Sequence, residues 1–158
     1  MDNNDFHTFS ESMKKDGNVL TASMEDYLEM IYRLSLNTGF TRIHELSAAL
    51  NIQPPSATKM VQKMNELGLI KYEKYGYIML EENGRVLGKS LLKRHETIET
   101  LLRLLGVPED VILLETEKME HTISSDTICC FDDYIDFVNM NPDITERFKD
   151  HQSHNITS

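Results

Sequence analysis

The sequence predicts a mainly α-helical chain: an N-terminal winged helix-turn-helix of three helices plus a β-hairpin wing, followed by a second, helical unit. Three observations predict it. Apolar residues recur at helical spacing in three segments up to Gly68, and the stretch after them alternates as a hairpin does. Helical spacing then returns and continues to about Met140. The charge divides in parallel: residues 1–41 hold three Lys/Arg against seven Asp/Glu, residues 42–95 nine against five, and residues 96–158 four against fourteen. A net charge of −10 thus conceals a basic middle and an acidic end, which suggests two tasks in one chain.

The elements follow in order. Residues 1–20, opening "MDNNDFHTFSESMKKDGN", lack apolar periodicity and read as a flexible arm without the apolar segment of a signal peptide. In "TASMEDYLEMIYRLSLNTG", Thr21 or Ser23 can cap a helix whose stripe is Met24, Leu28, Ile31 and Leu34, ending by Gly39. "RIHELSAAL" is a shorter helix with Ile43, Leu46 and Leu50 inward, stopping at Asn51. Two prolines then set the entry to "QPPSATKMVQKMNELGLI", with Pro55 in the first turn, Val61, Met64 and Leu67 as the core stripe, and Gly68 at the end. Ile70/Tyr72 and Ile78/Leu80 alternate around Lys74-Tyr75-Gly76, the mark of a two-stranded hairpin. These elements define a DNA-binding unit over residues 21–81.

A long helix is expected from Glu82 to about Leu105, stopped by Gly106-Val107-Pro108, then one through "PEDVILLETEKMEHTI" and a last one from about Ser125 to Met140. They form a second unit over 82–141. Residues 142–158 read as a polar, fraying tail.

Composition bounds the class. With 158 residues, 40% hydrophobic and 27% charged, the chain suits one domain or two small ones with a real core. It has no run of about 18 apolar residues to span a membrane. The adjacent pair Cys129 and Cys130 is no disulfide framework and reads as packing, in a reducing cytosol. "HETIE" lacks the second histidine of H-E-x-x-H, and there is no Walker A loop, nucleophile elbow or Gly-rich dinucleotide loop, so no enzyme is expected.

Two groups of residues carry chemistry. Gln53, Pro55, Ser56, Thr58, Lys59, Gln62 and Lys63 fall on or near the exposed side of the third helix, and Lys71 and Lys74 extend the basic strip to the hairpin. Hydroxyls and amides can meet base edges or phosphates, and lysines neutralise phosphate charge. A merely solvated helix face would carry the same residues; helix order and local charge favour DNA. The second group is acidic. "ETEKMEH" places Glu117, Glu120 and His121 at i, i+3 and i+4, "SMEDYLE" places Asp26 and Glu29 at i and i+3, and "LKRHETIE" supplies His95. Each piece alone also suits a solvated face or a satisfied histidine. Gathered, four carboxylates and two imidazoles would suit a divalent cation, manganese before zinc, with iron(II) and cobalt(II) fitting similar chemistry.

From about Ser23 to Val138 the chain resembles the diphtheria-toxin-repressor family of metal-dependent transcription repressors, and within it the manganese-responsive branch. The resemblance rests on "SMEDYLEMIYRL", "PPSATKMVQKM", "GLIKYEKYGYIML", "NGRVLGKSLLKRHETIETLL" and "LLGVPEDVILLETEKMEH", in that order. It implies Asp26, Glu29, His95, Glu117, Glu120 and His121 as metal ligands, with Asp26 standing where iron-type members place a methionine. It further implies Mn(II), two ions per subunit, with Fe(II), Co(II), Cd(II) or Zn(II) as substitutes. The helical unit becomes a metal-binding and dimerisation domain, without the SH3-like third domain of larger members. The function implied is a cytoplasmic homodimer that represses manganese-uptake genes at a pseudo-palindromic operator, the metal bridging reading head and dimer platform. The alternatives are a winged-helix regulator sensing iron(II) or another divalent metal, and a di-metal hydrolase.

Overall fold

The computed structural model describes residues 20–73 and 75–156. The expected arm, save its last residue, and Lys74 lie outside the described residues. The chain divides into two compact units, the first running through Leu92 and the second starting at Lys93.

The first unit opens with α1 (Ala22–Ser35). Thr21 caps it: its Oγ1 accepts the Met24 N–H at 3.3 Å, satisfying one of the donors that a helix start leaves unpaired. Met24, Leu28 and Ile31 are fully buried on one face, as their spacing requires. Helix α2 (Ile43–Ala49) ends at a turn where Asn51 takes a positive φ of 53°, a conformation asparagine tolerates better than most residues. Helix α3 (Pro54–Glu66) starts with its two prolines in the first turn and buries Ala57, Val61 and Met64. The wing is β2 (Ile70–Tyr72) antiparallel to β3 (Tyr77–Leu80), with Ile70 opposite Leu80 and Tyr72 opposite Ile78.

A third strand was not expected. β1 (Thr41–Arg42) pairs with β3, placing Thr41 opposite Ile78 and Arg42 opposite Tyr77, in the order β1-β3-β2. It anchors the wing from the far side. The Arg42 guanidinium stacks 4.5 Å over the Tyr77 ring and donates to its hydroxyl, while Phe40 meets the same ring edge-on at 5.0 Å.

Helix α4 (Glu82–Leu104) begins in the first unit and ends in the second. Its first turns belong to the first core: Leu87 and Leu91 are buried there with Leu28 and Leu69. Gly84 lies so close to the backbone of Leu69 that a Cβ would stand 1.9 Å from its carbonyl oxygen, and one on Gly88 would meet Tyr32 at 2.8 Å. The first compact unit thus takes in the first turns of α4, through Leu92.

The second unit continues with α5 (Glu109–Glu120), α6 (Ser125–Met140) and α7 (Pro142–Ile156). Ile98, Leu102, Ile112 and Ile128 form its core, with Phe131 and Met119 packed against them. Asp132 on α6 accepts from Lys93 Nζ at 3.0 Å and Thr97 Oγ1 at 2.8 Å, tying α6 to α4. The fraying tail expected after residue 141 is corrected: the segment is helix α7. Pro142 suits a first turn, Asp143 follows it, and Gln152 donates to the Leu105 carbonyl at 2.9 Å, docking the helix on the end of α4. No helix among the described residues is long and apolar enough to cross a membrane.

Candidate metal centre and DNA-reading helix

In the second unit, two helices bring an imidazole and a carboxylate together in the interior. His95 on α4 is 7% exposed, and Glu120, the last residue of α5, is 6% exposed. His95 Nδ1 and Glu120 Oε2 are 2.8 Å apart. The other carboxylate oxygen of Glu120 is 3.6 Å from Nε2 of His121, the residue that caps the helix. One carboxylate is thus flanked by two imidazoles. Arg94 fixes its backbone, Nη1 donating to the Glu120 carbonyl at 2.9 Å. On the far side of His95, Nε2 lies 3.3 Å from Glu99 Oε1. Glu117, one turn before Glu120, is exposed, so "ETEKMEH" grades from solvent to interior rather than presenting one uniform face. Burying a carboxylate this fully is costly unless charge and hydrogen bonds compensate, and here imidazole nitrogens lie beside both oxygens.

In the first unit, Asp26 and Glu29 stand on α1, Asp26 exposed and Glu29 buried. Glu29 Oε1 accepts from Arg33 Nε at 2.9 Å and Nη2 at 2.6 Å. The sequence reading passed over Arg33, as it did Arg94 and Glu99. Arg33 follows Glu29, and Glu99 follows His95, by four residues, a spacing that puts both members of a pair on one helix face. That signal was available in the sequence.

The same unit presents α3. Gln53, Pro55, Ser56, Lys59, Gln62 and Lys63 are all exposed, opposite the buried Ala57, Val61 and Met64. Thr58 is half-buried, and its hydroxyl donates back to the Pro54 carbonyl at 3.0 Å, leaving an oxygen lone pair to accept. Ser56, Lys59 and Lys63 recur at helical spacing, so the hydroxyl and both ammonium groups share one outer stripe. Lys71 on β2 is exposed and pairs with Glu73 at 2.9 Å; that hydrogen bond and charge push its pKa up from the ordinary lysine value. To neutralise a phosphate, Lys71 has to exchange Glu73 for it.

Comparison with known proteins decides what this arrangement belongs to. Residues 19–78 match the family described as iron dependent repressor, N-terminal DNA binding domain, and residues 81–149 the iron dependent repressor metal binding and dimerisation domain. The HTH-type transcriptional regulator MntR of Lysinibacillus sphaericus is 41% identical over 129 residues, covering 82% of this chain and 93% of that one. MntR of Bacillus subtilis is 40% identical over 117 residues, covering 74% and 82%. The chain belongs to the diphtheria-toxin-repressor family, in its MntR type.

Solved structures of the family agree on the fold. The metal-dependent transcriptional regulator MtsR is similar with a TM-score of 0.66 at 29% identity, covering 75% of this chain and 55% of that one. The manganese regulator SloR gives 0.62 at 30% identity, covering 72% and 54%. The chain spans about half the length of these two solved chains. The sequence expectation of a winged helix-turn-helix followed by a helical unit holds, with β1 and α7 added.

The residues of the second unit fit the family's metal. The atoms gathered around Glu120 are carboxylate oxygens and imidazole nitrogens, with no sulfur among the contacts described. Such donors suit Mn(II), Fe(II) or Co(II) and disfavour soft ions such as Cu(I).

Proposed function

We propose that this chain is a manganese(II)-activated, DNA-binding transcriptional repressor that controls metal-uptake genes. The observation that carries the reading is the buried His95–Glu120 pair, 2.8 Å apart, in a chain whose α3 turns lysines, hydroxyls and amides to solvent. The MntR relatives and the manganese regulator SloR support manganese as the ion.

The proposed ligand set is Asp26, Glu29, His95, Glu117, Glu120 and His121, with two ions per subunit, and Fe(II), Co(II), Cd(II) or Zn(II) as substitutes. A bound divalent ion supplies positive charge that offsets carboxylate repulsion. Glu120 and His95 are already held together before binding, so their ordering cost is reduced. The operator is double-stranded and pseudo-palindromic, read by a homodimer in the cytoplasm. Gln53, Pro55, Ser56, Thr58, Lys59, Gln62 and Lys63 meet bases and phosphates, with Lys71 and Lys74 on the backbone. By linkage, metal tightens DNA and DNA tightens metal by the same factor. The function is regulation rather than catalysis.

The test is a fluorescence-anisotropy titration of chelator-treated protein with a duplex from its own promoter region, at fixed salt, with and without Mn(II). Manganese-dependent binding that Glu120→Ala abolishes supports the proposal. Equal affinity in both conditions, or a variant that responds as the parent does, would remove the sensor and leave a winged-helix protein of another kind.

A further inference from the structure

Among the described residues six positions adopt a positive φ, and five of them hold residues suited to it: Gly39, Gly68, Gly76, Gly106 and Asn51. The sixth is Tyr75, with a φ of 79°. It is the third residue of the turn at the tip of the wing, which the Gly76 N–H closes on the Glu73 carbonyl at 3.1 Å. A β-turn with positive φ at its third residue ordinarily places glycine or asparagine there, because a Cβ crowds the backbone. Tyrosine is a strained choice for the fold, and its ring adds little to the core. Tyr75 is 86% exposed, more than any other large hydrophobic residue described.

The tip that carries this ring is anchored. β1 backs β3 from the far side, Phe40 and the Arg42 guanidinium pack on the Tyr77 ring, and the Ile43 N–H donates to the Gly76 carbonyl at 3.3 Å. The surroundings are basic: Lys74 precedes Tyr75 in the sequence, and Lys71 stands exposed on β2. An exposed phenol among lysines suits a polyanion with a sugar wall. The ring can pack on deoxyribose, and the hydroxyl can donate to a phosphate oxygen.

We propose that Tyr75 is a DNA contact of the wing, outside the set assigned above: its ring rests on the sugar–phosphate backbone flanking the bases that α3 reads, and its hydroxyl donates to a phosphate. The inference rests on the reading of the winged unit as the DNA-reading head. It gives the strained turn a function, since the fold itself gains nothing from a tyrosine there. The contact is neutral, so it adds affinity without sequence preference and without displacing a counterion.

The experiment compares the parent chain with Tyr75→Phe, Tyr75→Ala and Tyr75→Gly, each loaded with Mn(II). Fluorescence anisotropy reads affinity for a duplex from the protein's own promoter region and for a shuffled duplex, at several salt concentrations. Tyr75→Phe is expected to weaken binding by about 2–10-fold, the equivalent of one hydrogen bond. Tyr75→Ala and Tyr75→Gly should lose more, to the same extent as each other and equally on both duplexes. The salt slope should stay unchanged, whereas loss of a lysine–phosphate contact reduces it by about 1. Thermal melting is expected to move the other way. Tyr75→Gly should melt at or above the parent, because glycine takes this φ without strain, and Tyr75→Ala, which keeps the Cβ, should melt below Tyr75→Gly. Parent-like affinity in Tyr75→Ala would overturn the contact. A loss confined to the promoter duplex would put the ring on base edges and overturn the backbone placement. A parent that binds neither duplex would remove the reading head itself, a failure distinct from that of Tyr75.

Discussion

The two units differ in how much apolar core surrounds their buried polar residues. The first sets Glu29, Ser35, Thr41 and Ser47 in a large apolar core around Leu28, Ile31, Val61 and Leu87, and keeps the polar residues of its reading helix in water on α3. The second holds His95, Thr97, Thr116 and Glu120 in its interior, beside a smaller core of Ile98, Leu102, Ile112 and Ile128. The contrast has a chemical logic. Groups that read nucleic acid exchange water for phosphate and bases, so they must be reachable. Groups that grip a small cation gain from being held in place and shielded from competing water. The exposed polar face of α3 and the buried His95–Glu120 pair are thus signatures of two kinds of recognition within one chain.

Substitutions can break or sharpen that contrast. The largest effect on stability is expected from truncating the apolar cores. Leu28→Ala and Ile98→Ala should each cost about 2–5 kcal/mol, read from urea unfolding. Near-equal costs would show that the polar interior of the second unit does not weaken its apolar core. Next comes the polar interior: Glu120→Gln should weaken Mn(II) binding by more than the roughly 10–100-fold typical of an outer-shell partner, measured by chelator competition. Metal-free melting of the same variant separates that loss from loss of fold.

On the exposed side the effects are smaller and of another kind. Lys59→Ala should weaken DNA binding almost equally for all sequences and reduce the salt slope of log affinity by about 1, with the melting temperature unchanged. A change of operator preference instead would place Lys59 on a base edge. The smallest effect concerns the wing anchor. The Thr41 hydroxyl bonds Glu45 at 2.9 Å, and with the Arg42 N–H and nearby positive charge it holds the Glu45 carboxyl below the usual glutamate range. A lowered folded pKa stabilises above the unfolded carboxylate range, and that contribution disappears as pH falls through the lowered value. The melting difference between the parent and Glu45→Gln should therefore be present at neutral pH and vanish in acid.

How much of this was legible depends on how many residues speak for each feature. The stripes of α1 and α3, the proline entry and the alternating hairpin each recur over several positions, and the structure has them where the sequence puts them. β1 is two residues long, too short for any alternation, and exists because β3 offers it an edge. Helix α7 was misread because its apolar residues are sparse, Ile144 and Phe148 among polar ones, and its docking depends on Gln152 meeting a carbonyl far back in the chain. At the site, residue types and local spacing were visible. The meeting of His95 with Glu120 was not, since it depends on how α4 and α5 pack, which neither helix encodes alone.

Gly84 has a consequence for how this molecule can be divided and recombined. Because a side chain there would collide with Leu69, the beginning of α4 is seated against the reading head as a key in a lock. A gene cut at the apparent motif boundary, after Glu81, would strip Leu87 and Leu91 from the head and leave their partners bare. A cut after Leu92 keeps the key with its lock. The portable module is the longer one, and grafting the reading head onto a different sensor should preserve the helix through that residue.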